Sequence, residues 1–234
     1  MTTVQGARAR ARIEITAAIK DEARRQLAAE GAAKLSLRAV ARELGMVSSA
    51  LYRYFPSRDD LLTALIIDAY DAVGAVAERA HADAVSTAPG DHLAHWTAVC
   101  RAVRSWAVAH PHEYALIYGS PVPGYTAPQD TVGPAARVGL LLVATARGAH
   151  EAGGVTPPPL PDGLAPEAER LAADVAPDLP PALAVALVRA WAQLFGLVSF
   201  EVFGQFHRIV EDRDAFFAAA AERLGREVGL APRP

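Results

Sequence analysis

Residues 35–62 constrain this chain more than any other stretch, because they encode two short helices, a tight turn between them and the capped start of a third. Ser36 is a good N-cap for a helix whose apolar residues Leu37, Val40, Ala41 and Leu44 recur at helical spacing, and Gly45 follows as a residue that tolerates a left-handed stop. Met46 and Val47 carry the turn to Ser48, expected as a second N-cap. The helix it opens is expected over residues 48–55, with Leu51 and Phe55 four apart facing inward and Ser49, Tyr52 and Arg53 facing outward. Pro56 cannot continue it, and Ser57 starts the next helix with Asp60 at the reciprocal position of a capping box.

This is the profile of a helix-turn-helix whose second helix enters the major groove of double-stranded DNA. Small Ser49 and Ala50 allow close approach to base edges, while Arg53 has the reach for guanine or phosphate. Tyr52 and Tyr54, with Ser36, Arg38, Ser48 and Arg58 near helix starts, suit phosphate oxygens. The competing reading is an ordinary helical hairpin in a core, with Tyr52 and Tyr54 as half-buried aromatics.

Residues 37–62 resemble the signature of the TetR family of transcriptional repressors, most specifically in Leu51-Tyr52-Arg53-Tyr54-Phe55 and Pro56-Ser57-Arg58. Tyr54 stands where the family often has His and Arg58 where it often has Lys, and both replacements keep a phosphate donor. The resemblance implies an all-α homodimer with an N-terminal three-helix DNA-binding domain, residues 1–57. It also implies a larger helical domain, residues 58–234, that binds a small-molecule effector, dimerises and relaxes DNA affinity.

Charge agrees independently of that resemblance. Residues 1–58 hold eleven Lys or Arg against five acids, so residues 59–234 carry nine net negative charges to reach the whole-chain value of −3. A basic head on an acidic body is expected when only one end meets phosphate. Arg8, Arg10 and Arg12 are expected in a basic terminus that either reaches the minor groove or stays mobile. The single Cys100 excludes an intrachain disulfide, and with no apolar leader after the Arg-rich start the expected compartment is the cytoplasm. The apolar segments 138–146 and 190–200 are expected to be too short to span a bilayer.

Helices are expected at about 10–30, 58–85, 91–109, 111–119, 131–153, 180–207 and 212–228, with Pro-rich loops at 120–128 and 155–166, the second a mobile connector. Leu187, Trp191, Leu194, Val198 and Val202 form an apolar stripe, read as either a dimer interface or intrachain core. Trp191-Ala192-Gln193-Leu194-Phe195-Gly196 resembles the Trp-x-x-x-His-Gly element of a C-terminal domain in TetR-like proteins, with Phe195 in place of His. Such domains dimerise through their last two helices, here 180–207 and 212–228.

An apolar effector pocket would draw on the bulky aromatics Trp96, Trp106, Tyr114, Tyr118, Tyr125 and Phe195, each of which also fits plain core. His92 with His95, and His110 with His112, lack the cysteines or carboxylates of a metal site, so no metal and no cofactor is expected. Catalytic motifs are absent. The leading function is a dimeric repressor on a pseudo-palindromic operator, released by a small apolar effector. A DNA-binding protein without a ligand switch, and an all-α enzyme or carrier, are the alternatives.

Overall fold

The computed structural model describes residues 2–231. They form ten α-helices: α1 Thr2–Glu30, α2 Leu37–Glu43, α3 Ser48–Leu51, α4 Arg58–Thr87, α5 His92–Ala109, α6 Pro111–Tyr118, α7 Val132–Glu151, α8 Ala165–Val175, α9 Pro181–Val202 and α10 Arg213–Val228. Among the described residues there is no sheet; one isolated antiparallel bridge joins Val155 to Leu230.

Several helices depart from the sequence expectation; α9 ends at Val202, short of the expected 207, and α1 and α8 differ most. α1 begins well before Arg10, so Arg8, Arg10 and Arg12 are helical and not an unstructured arm. Runs of Ala and Arg hold a helix by intrinsic propensity without burial. α8 overlaps the end of the expected Pro-rich loop 155–166 and continues through residues for which no helix is expected. Pro166 sits at its first turn, where a missing N–H costs nothing, and burial of Ala168 and Ala172 holds the rest.

The chain divides into two compact units, Met1–Tyr70 with Pro111–Val132, and Asp71–His110 with Gly133–Pro234. The first has a core of Ile19, Ala23 and Leu27 from α1, Leu37, Val40 and Ala41 from α2, Leu51 and Phe55, and Leu61, Leu62 and Leu65 from α4. Lys20 and Arg24 both pair with Asp68, at 2.8 and 2.6 Å, fastening α1 to α4.

In the second unit α5, α9 and α10 pack together, and α8 packs on α9. Asp91 and Asp212 cap α5 and α10 by accepting from the N–H of Ala94 and of Ala215. Buried Trp96 donates its indole N–H to the Ala221 carbonyl of α10 at 3.1 Å. α10 stops at Gly229, whose φ of 105° and a Thr156 carbonyl 2.1 Å from where a Cβ would sit leave room for glycine only. α9 is 22 residues long, longer than segment 190–200 suggested and apolar enough by length and composition to cross a membrane. Half of that apolar window is buried inside the chain, as in the core helix of a folded domain. Burial pushes the Cys100 thiol up to about 12, which makes it an inert packing group.

His81 of α4 lies edge-on to His95 of α5, as does His92, with ring centroids 5.6 and 5.4 Å apart. His95 is buried and bonds the Ala88 carbonyl at 2.8 Å. His81 and His92 are both held below their ordinary 6.5, chiefly by desolvation and then by the neighbouring imidazoles, with Asp91 opposing this at His92. A histidine with a depressed folded pKa is stabilised in its neutral form, so that contribution is complete above the unfolded value and drains away as pH falls through it. The melting temperature should therefore decline from about pH 6.5 downward, before carboxylates titrate. Thermal melts of His81→Gln against the parent should show a flatter decline between pH 5 and 6.5, and parallel curves would refute this.

Candidate nucleic-acid interface

Ser36 caps α2 through its hydroxyl, which accepts from the Ala39 N–H at 3.4 Å. Gly45 then takes φ 64° and turns the chain. The cap of α3 is Val47 and not Ser48, which is already helical and makes no side-chain cap bond. α3 itself closes at Leu51, shorter than the expected 48–55. Residues 52–54 continue it as a tighter turn in which Arg53 N–H donates to Ala50 and Tyr54 N–H to Leu51, while Phe55 N–H returns to Leu51 at 3.1 Å. Buried Leu51 and Phe55 tie this hairpin to the core. Ser57 accepts from the Asp60 N–H at 3.1 Å, and the Asp60 carboxylate takes the Ser57 hydroxyl at 2.7 Å, so α4 starts in a firm cap.

That scaffold leaves Arg38, Ser48, Ser49, Tyr52 and Arg53 exposed. Among the described residues no carboxylate pairs with Arg38 or Arg53. Ser36 and Ala50 are half-buried, as is Tyr54, which rests on the core beneath the Arg12 guanidinium, 5.3 Å from its ring centroid. That contact depends on how α1 packs against the hairpin, which no local sequence pattern reveals. Arg58 is turned inward: its guanidinium donates to the carbonyls of Leu35 at 3.2 Å, Ala32 at 2.8 Å and Ala33 at 3.3 Å, holding the segment that leads into α2.

The six aromatics considered for a pocket fall in both compact units. In the first unit Tyr114 and Tyr118 meet at a tilt of 35° with centroids 5.1 Å apart, Tyr70 meets Tyr118 edge-on, and the Tyr125 hydroxyl bonds Thr63 at 2.9 Å. Trp96 and Trp106 lie in the second unit, Trp106 stacked on His110, and Phe195 is buried against Trp191. A cleft of about 390 Å³ in that unit is lined instead by α7, α8 and α9, with Trp191 and Leu187 among its walls.

Of the apolar stripe on α9, Leu187, Leu194 and Val198 are buried within the chain, Val202 is half-buried and Trp191 is exposed. The stripe is thus largely consumed by intrachain packing. The side of α9 left open carries Arg189, Gln193, Gly196 and Phe200, and with Phe216 and Ala220 of α10 it borders a second apolar groove. Among the described residues no three His, Cys, Asp or Glu side chains converge to hold a metal ion.

Residues 19–65 match the family model described as bacterial regulatory proteins, tetR family, and residues 96–224 match the tetracyclin repressor-like C-terminal domain. The chain is 44% identical over 204 residues to the HTH-type transcriptional regulator Rv1816 of Mycobacterium tuberculosis, covering 86% of each, and equally to Mb1846 of Mycobacterium bovis. The crystal structure of the regulatory protein SCO4313 superposes with a TM-score of 0.75 at 35% identity, over 92% of this chain and 97% of that one. A Rhodococcus sp. RHA1 protein of unknown function follows at 0.68 and 25%, over 90% and 93%.

Proposed function

This chain belongs to the TetR family of bacterial regulatory proteins, and from that premise we propose that it is a homodimeric repressor which leaves its operator when a small, largely apolar effector binds. Membership makes it a DNA-binding transcriptional regulator and not an enzyme, which removes the helical enzyme or carrier from the readings the sequence left open. Residues 1–57 read DNA, and residues 58–234 bind effector and partner. The proposed place of work is the cytoplasm, where the operator is.

One observation supports the DNA reading best: Ser48, Ser49, Tyr52 and Arg53 project from a hairpin whose other side is sealed in the core, and among the described residues no carboxylate engages the Arg53 guanidinium. Ser49, Ala50 and Arg53 meet base edges in this reading; Ser36, Arg38, Ser48, Tyr52 and Tyr54 meet phosphate. Arg58 positions the α2 entrance through its three carbonyl bonds and reaches phosphate only at their expense. Two copies docking one helical turn apart, about 34–36 Å, favour a pseudo-palindromic operator.

The proposed dimer uses α9 and α10, as the family resemblance implies, but through their open side. Phe200 and Phe216 are 53% and 43% exposed there, and Gly196 with Ala220 lets a second helix approach closely. α4 belongs to both compact units, which makes it the route by which effector binding is felt at the DNA-reading end.

The test is binding to a randomised operator library. Arg53→Ala should change the preferred bases, at a cost of about 1–3 kcal/mol on the best site. Tyr52→Phe and Arg58→Ala should weaken all sequences alike. Uniform weakening by Arg53→Ala would move that residue to the phosphate-contacting group.

A further inference from the structure

We propose that the cleft walled by α7, α8 and α9 is the effector site, and that it takes a compact, neutral, ring-bearing molecule with one hydrogen-bond acceptor. The proposal rests on the effector-responsive reading above and adds to it a place and a ligand chemistry. Ala136, Gly139 and Leu140 of α7, Val175 of α8, and Val188 and Trp191 of α9 form the walls, and the volume of about 390 Å³ suits a small organic molecule.

Trp191 carries the argument. α9 turns by about 100° per residue, so Trp191 lies about 140° round the helix from Gly196, away from the open side assigned to the partner subunit. It is nonetheless 42% exposed, because it borders the cleft. Phe195 meets it edge-on, with centroids 5.8 Å apart, so the indole is held in place before any ligand arrives. Its Nε1 edge faces the bare backbone of Gly139, where even an added Cβ would stand 3.9 Å away. Among the described residues no acceptor takes that N–H.

The charge of the site follows from its lining. Among the described residues Asp174 is the one ionised group lining it, and it is already paired with Arg170 at 3.0 Å. Nothing in the cleft is left to balance an anion or a cation, and desolvating an unmatched ionic ligand is costly. A neutral ring fits between Trp191 and Leu140, and an oxygen on that ring meets the free indole donor.

Calorimetric titration of the full-length protein with three naphthalenes tests this. 2-Acetylnaphthalene should bind saturably, about threefold to tenfold more tightly than 2-ethylnaphthalene, which lacks the acceptor; 2-naphthoate should not bind. Trp191→Phe should erase the preference between the first two while keeping both. Gly139→Leu, which fills the cleft, should abolish binding with an unchanged dimer in sedimentation. Wild-type binding by Gly139→Leu, a Gly139→Leu chain that falls to monomer, or no saturable binding by either neutral probe would overturn the site. Saturable binding that left affinity for operator fragments unchanged would overturn the effector role alone.

Discussion

Glu201→Ala is expected to destabilise the chain by about 3–5 kcal/mol, which in urea denaturation would appear as a large drop in midpoint at an unchanged slope. Glu201 of α9 takes a two-point bond from Arg104 of α5, Nε to Oε2 at 2.6 Å and Nη2 to Oε1 at 2.7 Å, while Arg104 also reaches Asp214 of α10 at 2.7 Å. The pair is largely out of water, with 15% of the arginine side chain and 8% of the glutamate exposed. Removing one partner leaves the other charge poorly hydrated and without its two-point partner. Asp214 cannot make up the loss, because at 89% exposure its pairing is screened. Phe217, whose ring centroid lies 5.1 Å from the Arg104 guanidinium, leaves that side chain little room to swing outward. The pair's net worth is much smaller than the cost of breaking it, since forming it desolvated both ions. Arg104→Met with Glu201→Leu should therefore recover most of the loss, and a double variant as unstable as Glu201→Ala would refute the account.

What the sequence made legible, and what it did not, divides along a physical line. Boundaries set by local chemistry were readable: the Ser36 cap, the positive φ of Gly45 and the Ser57–Asp60 cap each depend on residues within a few positions of one another. Features that depend on what packs across the fold were not. Arg58 looked like a phosphate donor until the carbonyls of residues 32, 33 and 35 were placed against it. Leu187, Leu194 and Val198 have the periodicity of an interface, yet periodicity reports only that a face is apolar and cannot say which neighbour covers it. The six aromatics were grouped by size, and the fold distributes them between two units while building its cleft mainly from Ala, Gly, Val, Leu and one indole. α8 escaped because two buried alanines make too narrow an apolar stripe to stand out among charges.

DNA affinity should fall by about 10³-fold between 50 and 200 mM salt. The estimate comes from counting which cations remain available. Lys20, Arg24, Arg25 and Arg42 are engaged by carboxylates of their own chain, Arg10 and Arg58 by its carbonyls, and Arg12 lies over Tyr54. Arg8, Lys34 and Arg38 are exposed with no such partner among the described residues, and Arg53 is assigned to base edges. Three phosphate-neutralising cations per protomer give about six per dimer, a log–log slope near −5 and hence the thousandfold loss over a fourfold change in salt. Counting every Lys and Arg of residues 1–58 would instead predict a slope nearly four times steeper, roughly −20, so the measured value separates the two accountings. Arg38→Ala should reduce the slope by about two, one phosphate in each half-site, without altering base preference. An unchanged slope in that variant would mean that Arg38 faces solvent even on DNA, and α2 would then lie farther from the backbone than the helix-turn-helix geometry requires.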